Sequence, residues 1–144
     1  MLNIDPRSLS ILRRHALDAY PYECCGVLLG VREGEHRRVL HVMPCRNVHP
    51  MPKSRYAIDP SELISVQRDT RDIQMEIIGF YHSHPDHSPE YSGTDLDEAN
   101  WHGCSYLIIG VDHRAVTCSK SYVLNVDGEQ RFFIEELLSD AVHP

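Results

Sequence analysis

Apolar positions recur at helical spacing near the start of the chain, then give way to the runs and alternations of strands. In "DPRSLSILRRHALDAY", Leu9, Leu12, Ala16 and Ala19 fall on one helical face. Asp5 is placed to cap this helix, Pro6 suits its first turn, and Pro21 ends it. "GVLLGV" and "RRVLHVM", joined by the turn "REGE", read as two strands. "PCRNVHPMPKSRYAID" is rich in proline and reads as an extended loop or an edge strand. A second helix opens at "DPSELISVQRDTRDI". There Asp59 and Glu62 have capping-box spacing, and Leu63, Val66, Thr70 and Ile73 recur at helical intervals.

Downstream, "EIIGFYHSH" is apolar on both parities, as expected of a central strand buried on both faces. "TDLDEANWH" reads as a short helix, "SYLIIGVD" and "TCSKSYVLN" as strands, and "EQRFFIEELL" as a strand or a helix. No repeat, low-complexity tract or linker interrupts the pattern, so a single domain over residues 1–144 is expected. Its alternating helices and strands imply a mixed α/β class. Strand order does not follow from periodicity.

Composition narrows the partners. The chain has 144 residues, enough to bury a core, and its 42% hydrophobic and 24% charged residues are ordinary for a soluble globular protein. A formal net charge of −7 argues against nucleic acid and against an anionic membrane surface as partners. No apolar run approaches the roughly 18 residues of a membrane span. "MLNIDPRSLS" lacks the basic-then-apolar layout of a signal peptide. The five cysteines are an odd number without a C-x-x-C pair, which points to a reducing cytoplasm. Ten histidines are an excess that can mean metal binding, and that also makes accidental motifs more frequent.

Candidate chemistry concentrates in "GFYHSHPDHSPEYSGTDLDEA". Residues two apart in a strand project from one face, so His82 and His84 stand side by side. Pro85 removes a backbone donor and stops the strand. The chain then re-enters a helix at Ser92, which places Asp95 one turn inside. Two imidazole nitrogens and a carboxylate oxygen suit zinc, and three protein ligands leave a fourth tetrahedral position open, as in catalytic sites. His-x-His alone is weak, and "SGTD" alone is a capping box with Ser92 as the cap. Joined at fixed spacing they point to a metal site, and the capping role of Ser92 can hold at the same time. Metal-assisted hydrolysis also needs a carboxylate to carry a proton. From the residues alone Glu23, Glu76 and Glu90 all qualify.

"HSHP" followed by "SGTD", together with Glu23 in "YECCGVLLG", resembles the signature of the JAMM (MPN-plus) zinc metallopeptidases. The resemblance spans roughly residues 4 to 126. It implies a three-layer α/β/α deaminase-like fold around a mixed β-sheet. By position it makes His82, His84 and Asp95 the zinc ligands, Glu23 the general base and Ser92 the oxyanion support. It selects Glu23 among the three glutamates, and it gives Gly26 and Gly30 close-packing roles near the site. It also places Asn47, Arg55 and Tyr56 near the groove for the substrate tail. Cys24 and Cys25 read as buried small hydrophobes, and His87 as an exposed histidine in the site loop that can touch substrate or a surplus metal ion.

The function implied is a zinc (iso)peptidase that hydrolyses the amide after the C-terminal Gly-Gly of a ubiquitin-like protein. The stand-alone prokaryotic members act on ubiquitin-like sulfur-carrier proteins. The short interval between Asp95 and Tyr106 fits that subgroup, as does the lack of a fused ubiquitin-like module. The alternatives are a general deubiquitinase-like isopeptidase and a non-catalytic, metal-dependent module that binds such tails. A nucleobase deaminase would need H-x-E and P-C-x-x-C, which are absent.

Overall fold

Eight strands pair into one sheet in the computed structural model, which describes residues 1–140. In chain order the elements are β1 (Leu2–Ile4), α1 (Pro6–Ala19), β2 (Cys25–Glu33), β3 (His36–Cys45), α2 (Pro60–Thr70), β4 (Glu76–Pro85), α3 (Gly93–Glu98), β5 (Ser105–Val111), β6 (Val116–Asp127), β7 (Gln130–Glu136) and β8 (Leu138–Ser139). Across the sheet the order is β7-β6-β5-β4-β2-β3-β1-β8. β4 pairs parallel with β5, and β1 parallel with β3 and β8, while the remaining pairs are antiparallel. The sheet is therefore mixed, and β4 lies near its middle.

One core sits on each face of the sheet. α1 covers Leu28, Ile78, Tyr81, Leu107 and Ile109 with Leu12 and Ala16. On the other face Val27, Leu29, Phe80, Ile108 and Tyr106 pack beneath Val66 and Leu63 of α2 and Leu96 of α3. This is the α/β/α layering expected. Asp5 caps α1 through its side chain, which accepts from the Ser8 amide at 2.8 Å, and Pro6 occupies the first turn.

Two local expectations are corrected, one open alternative resolves, and two short strands are added. Asp59 caps α2, but its carboxylate accepts from the Ser61 amide and hydroxyl, both at 2.9 Å, so no box with Glu62 forms. Ile73 lies beyond the end of α2 and is exposed. "EQRFFIEELL" resolves as strand, because β7 pairs with β6 over its full length. The three-residue β1 and two-residue β8 were not expected; both are too short to show a periodicity and exist through pairing with distant chain.

A bulge in β4 decides which way the site faces. Leu28 pairs with Gly79 and Leu29 with Ile77, leaving Ile78 as an extra residue. The alternation flips there, so Ile77 and Phe80 both enter the α2/α3 core while Ile78 and Tyr81 face α1. Beyond the bulge, His82 and His84 share the face of Phe80 and point toward α3. Gly26 of β2 lies against the Tyr81 ring and the Met43 carbonyl, where a Cβ has no room.

Candidate metal centre

His82 and His84 stand at the end of β4, beside the N-terminus of α3. Their Nε2 atoms are 3.1 Å apart. Asp95 faces both: its Oδ1 lies 3.3 Å from His82 Nε2 and its Oδ2 3.1 Å from His84 Nε2. Four zinc bonds of 2.0–2.1 Å define a tetrahedron with edges of ~3.3 Å, so these separations fit one ion of that size. The three side chains form a group that can hold a metal.

The tautomer supports the same reading. His84 Nδ1 lies 2.8 Å from the Ser88 carbonyl, which can only accept, so Nδ1 carries the proton and Nε2 presents its lone pair to the centre. Burial lowers the His82 pKa against the pull of Asp95, which favours the neutral, ligating form. For His84, burial acts downward, but the Asp95 carboxylate and the Ser88 carbonyl raise the value. Burial also pushes Asp95 upward, yet the two imidazoles beside it hold it well below the usual carboxylate range. The His84 Nε2 lone pair, the His82 Nε2 atom and the Asp95 carboxylate face one another, an arrangement that a cation between them would satisfy.

Asp95 is set by the cap of α3. The Ser92 hydroxyl accepts from the Asp95 amide at 3.0 Å, and the Asp95 carboxylate accepts from the Ser92 amide at 2.9 Å. The capping box thus aims the Asp95 carboxylate at the two histidines. As an acceptor, the Ser92 hydroxyl keeps its own hydrogen free to donate elsewhere.

Glu23 belongs to no helix or strand and lies just before β2. It is buried, and burial pushes its carboxyl up to about 7 against the pull of His84. It lines a cleft of about 410 Å³ together with His84, Ser92, Asp95, His87 and Glu90. Glu23 is thus brought to the centre. Glu90 lines the same cleft but is exposed and faces Lys120 at 3.6 Å, and Glu76 sits at the far end of β4 in an ion pair with Arg32.

Several neighbours had no signal in motif spacing. Tyr56 stacks on the His82 ring at 4.3 Å between centroids and 19° between planes. Ser83, between the two histidines, accepts from the Cys24 amide through its hydroxyl at 2.8 Å and donates its own amide to the Cys24 carbonyl. This clamp ties the residue after Glu23 to the ligand-bearing strand. Cys24 and Cys25 are buried in opposite cores, and burial pushes both thiols up, Cys24 to about 11, as expected of small hydrophobes. Arg55 is exposed, while its carbonyl accepts from Asn47.

Residues 5–123 match the family described as prokaryotic homologs of the JAB domain. A desampylase of Haloferax volcanii is 39% identical over 106 residues, covering 74% of this chain and 75% of that protein. A probable TtuB-protein conjugate cleaving protease of Thermus thermophilus is 35% identical over 100 residues, covering 69% of this chain and 64% of that protein. The solution structure of a Desulfitobacterium hafniense protein superposes with a TM-score of 0.78 at 28% identity, covering 99% of this chain and 95% of that one.

Proposed function

This chain belongs to the prokaryotic homologs of the JAB domain, and on that premise we propose that it is a zinc-dependent isopeptidase or peptidase. Its substrate is the amide that follows the C-terminal Gly-Gly of a ubiquitin-like sulfur-carrier protein, and it works as a single cytoplasmic domain. The observation that carries this reading is the convergence of His82, His84 and Asp95 within hydrogen-bond distance of one another, beside a cleft that His84, Asp95 and Glu23 line. Relatives named for desampylase and conjugate-cleaving activity support the substrate class.

His82, His84 and Asp95 hold the ion, and a two-nitrogen, one-oxygen set with an open position suits zinc. When bound there, the ion acts as a Lewis acid on a carbonyl and lowers the pKa of water. Glu23 takes the proton from the attacking water and hands it to the departing amine. A carboxyl whose burial places it near 7 is suited to both halves of that task, and a cation beside it draws the value back down. Ser92 donates its free hydroxyl hydrogen to the oxyanion that develops as the amide carbonyl is attacked. Among the described residues no helix is long and apolar enough to cross a membrane.

The test uses the metal-loaded protein and a small ubiquitin-like carrier whose Gly-Gly tail is extended by one cysteine or by an isopeptide-linked lysine. Mass spectrometry should show cleavage immediately after the second glycine. A bulky residue in place of the penultimate glycine should abolish cleavage. Equal cleavage of unstructured, glycine-free peptides would make this a general peptidase, and tight binding of the tail without cutting would make it a binding module.

A further inference from the structure

We propose that Asn47 is a positioning residue that sets Glu23 and Tyr56 against the His82–His84–Asp95 centre. The segment from 46 to 59 joins β3 to α2 and forms neither strand nor helix before α2 begins. Its backbone polar groups therefore need partners from outside a regular ladder. The Asn47 carboxamide supplies three of them and also reaches the Glu23 carbonyl outside the segment. Its Nδ2 donates to the Glu23 and Arg55 carbonyls, both at 3.0 Å, and its Oδ1 accepts from the His49 and Ala57 amides, both at 3.1 Å. Two donors and two lone pairs are the full capacity of the group. With carbonyls on one side and amides on the other, the flipped orientation would set like against like at every contact.

The four contacts reach both parts of the site. The Arg55 carbonyl and the Ala57 amide flank Tyr56, whose ring stacks on His82. The Glu23 carbonyl is held by Asn47, and the Glu23 amide donates to the Pro52 carbonyl of the same segment at 2.8 Å. Glu23 lies in no regular element, so its main chain is fixed from this segment on one side and by the Ser83 clamp on Cys24 on the other. A shift of about 1 Å at a reacting group can cost about 100-fold in rate. Asn47 touches no ligand atom of the centre, so its effect on turnover passes through Glu23, while the same contacts hold the chain on either side of Tyr56.

This role rests on Glu23 as the proton carrier, and a double-mutant cycle tests it. Metal content, melting temperature and turnover of a carrier-tail amide are measured for the wild type, Asn47→Ala, Glu23→Gln and the double variant. Asn47→Ala should keep its metal and lose about 100-fold in kcat with KM within about threefold. In the Glu23→Gln background the same change should cost little more, because it acts through Glu23. Losses that multiply in the double variant, or metal lost with Asn47, would overturn the proposal. If Asn47→Ala does not fold, Asn47→Asp keeps both acceptor contacts and loses both donations, with the same kcat loss expected. Should the wild type cut no carrier amide, the functional reading falls by itself. Amide hydrogen exchange then decides: faster exchange at Glu23, His49 and Ala57 in the variant supports the positioning role, and unchanged exchange ends it.

Discussion

The two halves of this site are built in different ways. All three candidate metal ligands lie between residues 82 and 95, on the end of β4 and the first turn of α3. Strand parity aims His82 and His84, and a helix cap aims Asp95, so regular backbone does the placing. The other half draws on Glu23, Asn47 and Tyr56, none of which lies in a helix or strand. There, side chain-to-backbone hydrogen bonds across separate stretches do the placing. Regular elements set the ligands to the few tenths of an ångström that an ion demands. The irregular half sets a buried carboxyl, Glu23, whose proposed task is to carry a proton. Binding and reactivity should therefore separate on substitution.

The largest expected effects lie in the first half. His82→Ala, His84→Ala or Asp95→Ala each removes one of three ligand atoms, and the double His82/His84 variant removes both nitrogens. Elemental analysis should find about one metal ion per chain in the wild type and a small fraction of that in the variants, with activity lost. Full metal in the double-histidine variant would break the comparison at its base.

Glu23→Gln comes next. The amide keeps the shape and cannot accept the proton, so turnover should fall about 100- to 10,000-fold while metal content stays at the wild-type level. Loss of metal in Glu23→Gln would show that the halves are not separate. Retained turnover with full metal would move the base elsewhere, with Glu90 of the same cleft the next to replace.

How much of each half was legible in the sequence follows from the same difference. The H-x-H spacing and the S-x-x-D cap are local patterns, and they identify His82, His84, Ser92 and Asp95 without knowledge of any distant contact. Glu23 could not be chosen over Glu76 and Glu90 from the residues, because what distinguishes it is burial beside a strand more than fifty positions later. Family resemblance selects Glu23 on grounds that local pattern does not carry. The bulge at Ile78 was also invisible, since an apolar run on both parities reads the same with or without an extra residue. Resemblance places Tyr56 and Asn47 near a groove, but the stacking on His82 and the four hydrogen bonds depend on how an irregular segment closes on itself.

Ser92 belongs to the cap and to the cleft, so its substitution gives two readouts. Ser92→Ala should cost about 1 kcal/mol of stability through the lost cap. If its free hydrogen also meets the oxyanion, kcat should fall about 100- to 1,000-fold with KM little changed. Melting temperature and rate on one preparation separate the two. A drop in melting temperature with wild-type turnover would leave Ser92 a cap alone.

The smallest effect is expected where the halves touch. Tyr56 comes from the irregular segment, yet its ring lies nearly parallel to the His82 ring, at a distance suited to stacking. An aromatic pair of this kind contributes about 0.5–1.5 kcal/mol beyond the area it buries. Part of that holds the imidazole in the orientation that presents Nε2 to the centre. Tyr56→Leu keeps much of the apolar volume and removes the π-face, so metal should be held about 2- to 10-fold less tightly, measured by competition with a chelator. Tyr56→Phe keeps the face and should retain wild-type affinity. If the leucine variant holds metal as tightly as the wild type while turnover falls, Tyr56 acts on substrate and not on His82. Equal losses in the leucine and phenylalanine variants would instead assign the effect to the phenol hydroxyl. The outcome expected from the stacking geometry is a loss confined to leucine, which would make the irregular segment a weak contributor to metal binding and leave its main effect on Glu23.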